Sequence, residues 1–185
     1  MAGKIQLVFL DRDGVINRRP AGRRFVTCWR EFEFLPGVAE AIHLLNQHSV
    51  WVIVATNQRG ISMGLYSESD LQDIHSRMQQ ALGTKGARLD GIYYCPHAPG
   101  ECECRKPYTG LFEQALRHLP PIDRADILVI GDSDTDMVAA HRFGCRRILV
   151  GLDRDSASIT LANKGISVGF SCESLLEAVK GYILR

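Results

Sequence analysis

What this chain lacks narrows it first. No apolar run in its 185 residues comes near the ~20 that a membrane helix needs. No charge dominates: 22 basic and 21 acidic residues leave a formal net charge of +1, which gives no global drive toward nucleic acid or a membrane surface. Internal repeats, low-complexity linkers and any insertion long enough to form a separate cap domain are also absent. The start, Met1-Ala-Gly-Lys4, leads straight into an apolar segment and lacks the form of a signal peptide. These absences lead to the expectation of a cytoplasmic monomer with no nucleic-acid or membrane partner. In that compartment the 6 cysteines are not an obvious disulfide framework. The length suits one domain over residues 1–185 with a substantial core.

Apolar runs alternate with helical patterns. Ile5–Leu10, Val50–Ala55, Gly91–Tyr94, Asp126–Ile130 and Arg146–Val150 read as strands, with a further short one near Ile166–Phe170. Gly37–Gln47, Glu68–Leu82, Gly110–Leu119, Thr135–Phe143, Ser156–Asn163 and Cys172–Tyr182 read as helices. Strands separated by such helices imply an α/β fold, a parallel sheet with right-handed crossovers. Continuous apolar strands such as Val50–Ala55 fit a sheet buried on both faces.

The polar residues that follow these strands carry the chemistry. Asp11 and Asp13 leave the first strand two residues apart, at the sheet edge where open α/β folds bind ligands. Gly14 lets the chain turn away, so both acids can face one crevice. One carboxylate can attack, the other can hold or donate a proton, and together they can hold a hard cation. A plain strand end followed by a polar turn has the same appearance. Thr56-Asn57-Gln58-Arg59-Gly60 offers a hydroxyl, amides and a glycine that can cradle phosphate oxygens, or simply form a turn. Arg105 and Lys106 can grip and neutralise a phosphoryl group, or stand as solvated surface charges. Gly131-Asp132-Ser133-Asp134-Thr135-Asp136 repeats the strand-then-acid pattern; its acids can bind a cation or cap a helix.

Cys95-Pro-His97-Ala-Pro-Gly-Glu-Cys102-Glu-Cys104 packs three thiols and an imidazole into one short loop. Three Cys and one His form a closed tetrahedral set for structural Zn²⁺. Reduced, incidental cysteines are the alternative. Cys145 and Cys172 read as packing residues, and His43, His48, His75, His118 and His141 as structural or surface groups on helices.

The order Asp-x-Asp-Gly, Thr, Lys, Gly-Asp-x-x-x-Asp, spread over about residues 5–150, resembles the haloacid dehalogenase superfamily of phosphotransferases. The resemblance implies a Rossmann-like open parallel sheet flanked by helices, here with a zinc-binding loop and no large cap domain. It implies that Asp11 is the nucleophile and forms an aspartyl-phosphate, while Asp13 is the general acid and base. Thr56 would bond the phosphoryl oxygens and Lys106 would neutralise developing charge. Mg²⁺ would be held by the Asp11 and Asp132 carboxylates and the Asp13 backbone carbonyl. The C-x-H…C-x-C-R-K-P loop resembles the group that contains heptose-bisphosphate and histidinol-phosphate phosphatases. Asp11–Asn17, Ala55–Gln58 and Tyr93–His97 resemble the heptose members more closely, and Arg105 joins the catalytic set from them. The short stretch between His97 and Cys102, and Ser133 after Asp132, depart from many heptose enzymes.

The loop Arg18-Arg19-Pro-Ala-Gly-Arg23-Arg24 follows the nucleophile, and its arginines can receive a second phosphate or remain a solvated basic loop. It would repel the amine of histidinol phosphate. Arg12, Arg19, Arg23, Arg24, Asn57, Gln58 and Arg59 are the candidate substrate-binding residues. The expected function is metal-dependent hydrolysis of a phosphorylated sugar, removing the 7-phosphate of a heptose 1,7-bisphosphate. A histidinol-phosphate phosphatase is the alternative. A non-catalytic zinc-loop binding module is a distant third, against which the two aspartates, the threonine and the lysine argue.

Overall fold

Each of six short apolar strands is carried back by a helix before the next begins, so all pair in parallel. The strands are β1 (Leu7–Leu10), β2 (Trp51–Asn57), β3 (Gly91–Cys95), β4 (Ile127–Gly131), β5 (Arg146–Val150) and β6 (Phe170–Cys172). The helices are α1 (Val38–Gln47), α2 (Glu68–Gly83), α3 (Gly110–Leu116), α4 (Asp134–Phe143), α5 (Arg154–Asn163) and α6 (Leu175–Ala178). The computed structural model describes residues 4–20, 25–151 and 154–184. The sheet order is β3-β2-β1-β4-β5-β6. This is the open, doubly wound α/β architecture that the alternation implies.

Side chains alternate across the sheet and fill two cores. Val8, Leu10, Val52, Val54, Leu128 and Ile130 face one side, packed against Ile42 and Leu45 of α1 and Met78 and Leu82 of α2. Leu7, Phe9, Ile53, Ala55, Ile127 and Val129 face the other, against Phe112 of α3 and Phe143 of α4. Phe112 sits between Phe9 and Phe143, with ring centroids 4.6 and 5.3 Å away. Among the described residues no helix is long and apolar enough to cross a membrane.

Register places the chemistry. Leu10 lies opposite both Val54 and Ile130, so Asp11 emerges between the ends of β2 and β4. The Asp11 N–H donates to the Ile130 carbonyl at 3.0 Å, which continues the ladder one residue beyond the strand.

Several expected boundaries move. β2 runs on through Thr56 and Asn57, because β3 pairs with it as far as Asn57 opposite Cys95. α3 ends at Leu116 rather than Leu119. The sixth strand is Phe170–Cys172, not Ile166–Phe170: only there does the backbone reach β5, with Ile148 opposite Phe170. Ile166 is instead a buried anchor among Met137, Leu149 and Leu161. The last helix begins at Leu175 rather than Cys172, because the Ser174 side chain accepts the Glu177 N–H and caps it. It passes into a π-helical segment, Val179–Ile183.

Candidate active site

The carboxyl ends of β1, β2 and β4 bring the expected polar residues to one edge. Lys106, from the loop after β3, is buried there and its Nζ donates to Asp11 Oδ1 at 2.9 Å and to the Ala55 carbonyl at 2.6 Å. Its third contact is an ion pair with Asp136 Oδ1. Burial opposes the ammonium, but Asp11 and Asp136 outweigh it and hold the Lys106 pKa above its usual value. Burial pushes Asp11 up; the Lys106 charge opposes that, while Asp136 and Asp13 add to it.

Asn57 fixes the backbone of this lysine at two points. Its Nδ2 donates to the Lys106 carbonyl at 3.0 Å, and its Oδ1 accepts the Lys106 N–H at 3.0 Å. Thr56 Oγ1 accepts a hydrogen bond from Gln58 Nε2 at 2.9 Å. A hydroxyl in that role keeps its own hydrogen to donate to a phosphoryl oxygen.

Asp13 is held from several sides. Asn17 Nδ2 donates to its Oδ1 and Gln58 Nε2 to its Oδ2, each at 2.9 Å. Arg12 Nη2 spans both oxygens at 2.9 and 3.0 Å. Burial would raise the Asp13 pKa, but the Arg12 charge and these hydrogen bonds keep it below the usual carboxylate range.

These contacts correct two expectations. Arg12 is fully buried, its guanidinium committed to Asp13 and His75, and it does not line the cleft beside Asp11. Gln58 is fully buried as well, with its amide spent on Asp13, Thr56 and the hydroxyl of Tyr66. An arginine between two aspartates looks like a phosphate grip in sequence. Here the bend after β1 turns it inward, and buried neighbours satisfy it. Arg19, Asn57, Arg59, Arg105 and Lys106 do line a cleft of about 390 Å³ with Asp11 and Asp13. Arg59 Nε and Arg105 Nη1 are buried without a hydrogen-bond partner. Arg23 and Arg24 lie outside the described residues. Arg18 pairs with Glu33 instead, at 3.2 Å between exposed side chains.

The acid residues fit a hard cation. Carboxylate oxygens of Asp11, Asp132 and Asp136 lie within 4.8 Å of one another. Burial and the charge of Asp11 push Asp132 up to about 7, a strain that an oxygen-seeking divalent ion relieves. Gly14 makes the approach possible: at φ +94°, any Cβ there would lie 1.8 Å from Asp132 Oδ2. Gly131 does the same for Asp136, whose Cβ would sit 2.3 Å from an added one. Asp136 is the residue the sequence left as a helix cap or a cation ligand. It caps α4, accepting the N–H and hydroxyl of Ser133 on Oδ2, and also pairs with Lys106. Its position four residues after Asp132 was the available signal.

The Cys/His loop converges too. Cys95, His97, Cys102 and Cys104 bring their donor atoms within 4.8 Å of one another. Cys102 Sγ lies 3.4 Å from Cys95 Sγ and 3.3 Å from Cys104 Sγ. His97 Nδ1 lies 3.5 Å from Cys95 Sγ and 3.4 Å from Cys104 Sγ. These edges approach the roughly 3.5–3.8 Å edges of a tetrahedron with ~2.0–2.3 Å bonds to Zn²⁺. Burial would raise the Cys102 thiol, but bonds from Cys104 and the Arg105 backbone bring it down to about 7, while burial pushes Cys95 and Cys104 up.

The parallel sheet, the paired aspartates and the lysine behind them define a HAD-like hydrolase, a phosphatase acting on phosphoric monoesters. Residues 103–178 match the HAD-hydrolase-like family. A D-glycero-beta-D-manno-heptose-1,7-bisphosphate 7-phosphatase of Bordetella bronchiseptica is 38% identical over 92% of this chain and 94% of its own. A D-glycero-alpha-D-manno-heptose-1,7-bisphosphate 7-phosphatase of Mycobacterium bovis is 43% identical over 76% of this chain and 74% of its own. The crystal structure of the D,D-heptose 1,7-bisphosphate phosphatase from B. bronchiseptica, complexed with magnesium and phosphate, superposes with a TM-score of 0.85. It is 37% identical, over 97% of this chain and 99% of that one. The chain belongs to the family of heptose-1,7-bisphosphate 7-phosphatases within the HAD-like hydrolases.

Proposed function

We propose that this protein removes the 7-phosphate of D-glycero-D-manno-heptose 1,7-bisphosphate and leaves the 1-phosphate. The observation that carries the reading is the Asp11–Lys106 contact at 2.9 Å beside the Asp132 carboxylate, in a chain whose relatives bear that activity. Asp11 attacks phosphorus as the bond to the sugar oxygen breaks, and an aspartyl-phosphate forms. Asp13 gives its proton to the departing oxygen. The low pKa of Asp13 opposes this in the free protein, but a phosphoryl dianion arriving beside it favours the protonated form. Water then attacks the aspartyl-phosphate, passes a proton to Asp13, and releases inorganic phosphate with Asp11 restored. Lys106 offsets repulsion between Asp11 and the incoming anion, and Thr56 donates its hydroxyl hydrogen to a phosphoryl oxygen.

The Asp11 and Asp132 carboxylates and the Asp13 carbonyl would hold Mg²⁺, which when bound supplies Lewis-acid neutralisation of phosphoryl charge. The Cys95, His97, Cys102 and Cys104 set would hold a structural Zn²⁺ and fix the backbone leading to Arg105 and Lys106. Arg19, Arg59 and Arg105 line the same cleft and offer donors for the second phosphate. We take the protein to be a cytoplasmic monomer with one domain over residues 1–185, acting on a phosphorylated sugar with no nucleic-acid or membrane partner.

The deciding experiment compares kcat/KM on both anomers of the heptose bisphosphate and on histidinol phosphate. Preference for a bisphosphate by roughly a hundredfold is expected, since a site built for a second phosphate leaves its buried donors unpaired on a monophosphate. Equal or better turnover of histidinol phosphate would overturn the substrate assignment.

A further inference from the structure

The buried Arg12 bridges Asp13 to a histidine on another element. Arg12 Nη1 lies 3.2 Å from Nε2 of His75 on α2, while its Nη2 holds both oxygens of Asp13. Arginine only donates, so His75 Nε2 must be the acceptor and the ring neutral. Burial and the Arg12 charge push His75 down to about 3, which agrees. A second arm reaches Asp13 from the other side: the Tyr66 hydroxyl donates to Gln58 Oε1, and Gln58 Nε2 donates to Asp13 Oδ2. A guanidinium with no exposure has few ways to be satisfied, and a neutral ring nitrogen is the partner that leaves its charge for Asp13.

We propose that His75 is a positioning residue for the general acid and base: it orients Arg12, which sets the direction of the Asp13 carboxylate. This rests on the acid–base role given to Asp13 above. His75 touches no reacting atom, so its effect must appear where proton transfer matters. An alkyl phosphate such as a sugar phosphate needs its leaving oxygen protonated. An aryl ester such as p-nitrophenyl phosphate leaves as a stable anion and needs little help.

The test measures kcat and KM on a sugar phosphate and on p-nitrophenyl phosphate, with melting curves, for wild type, Asp13→Asn, His75→Leu and His75→Gln. Asp13→Asn should lose much more on the sugar phosphate than on the aryl ester. His75→Leu should lose kcat on the sugar phosphate by roughly ten- to a hundredfold with little change in KM, and much less on the aryl ester. His75→Gln keeps an acceptor oxygen within reach of Arg12 and should recover most of the rate. An equal loss on both esters, no loss, or no recovery with Gln would overturn the proposal. If wild type releases phosphate from neither ester, or Asp13→Asn shows no leaving-group dependence, the underlying reading fails instead. Should His75→Leu not fold, His75→Asn, whose amide is too short to reach Arg12, replaces it and enters a double-mutant cycle with Arg12→Lys. Lysine cannot span both partners, so the two losses should not add; full additivity would overturn the proposal.

Discussion

Arg19 bridges Asp132 and Asp13: its Nη2 donates to Asp132 Oδ1 at 2.8 Å, and its Nε donates to the Asp13 carbonyl at 3.3 Å. These are two of the three groups assigned to the cation, so the guanidinium and Mg²⁺ would compete for them. Arg19→Ala should therefore lower the Mg²⁺ concentration needed for half-maximal activity. The contact is half-exposed and such pairs are weak, so the change should be about two- to fivefold. At saturating Mg²⁺ the same variant should show a higher KM for the bisphosphate. An unchanged or higher Mg²⁺ concentration for half-maximal activity would show that Arg19 does not compete.

Asp11→Asn should abolish turnover and leave the fold intact. An amide is not an anionic nucleophile, and the change removes one carboxylate from a crowded cluster. Lys106 keeps its Asp136 and Ala55 partners, so its burial stays satisfied. Phosphate release near wild-type rates from a folded Asp11→Asn protein would refute the mechanism.

Asn57→Ala tests whether Lys106 is held by its backbone. The variant removes both the bond to the Lys106 carbonyl and the bond from its N–H. A displaced lysine should lower kcat by about tenfold or more, since ~1 Å of misplacement can cost on the order of a hundredfold. KM should change less. A KM effect with kcat preserved would mean that Asn57 serves binding instead.

Zinc removal should reach the same lysine from the other side. Cys102→Ser and Cys104→Ser should purify with less than the about one zinc per chain expected of a closed site, and with kcat reduced on the order of a hundredfold. Metal analysis paired with kinetics on the same samples checks this. Full activity in a zinc-free preparation would show that the loop needs no metal to place Lys106.

Stability should fall with acidification through His75. Its pKa is about 3 when folded, against ~6.5 in an unfolded chain. Between those values the unfolded state binds a proton that the folded state does not, so stability drops as pH falls through the window, by at most ~1.4 kcal/mol per unit. Above that window both states are neutral and the contribution is flat. Urea midpoints measured from about pH 7 down to pH 5 should decline less steeply in His75→Gln. Identical slopes would mean that His75 is not buried neutral.

The strand-then-acid rhythm made the sheet, its parallel sense and the shared edge of Asp11 and Asp132 legible, because period and spacing are local signals; Lys106 directly follows no expected strand, and the family resemblance brought it to that edge. Arg12, Gln58 and His75 were not legible. Whether a polar side chain near a strand end faces a ligand or a buried neighbour depends on which distant element covers it. α2 supplies His75 and the segment before α2 supplies Tyr66, and nothing at positions 11–13 announces either. Asp136 lay between: its spacing from Asp132 is visible, but its contact with Lys106 depends on the absence of a side chain at Gly131. The sixth strand was misplaced because an edge strand of three residues carries too little alternation to fix its bounds.

The sheet order also governs when the protein can first work. β1 is central, flanked by β2 and β4, and Asp11 follows it directly. During synthesis β1 emerges well before β4, and one of its edges stays unpaired until Ile127–Gly131 leaves the ribosome. Asp136, which steadies Lys106, comes later still. A growing chain therefore carries Asp11 and Asp13 without the surrounding geometry until those later segments have followed. An unpaired central strand edge in such a nascent chain is where misassembly is most costly and where a chaperone has most to cover.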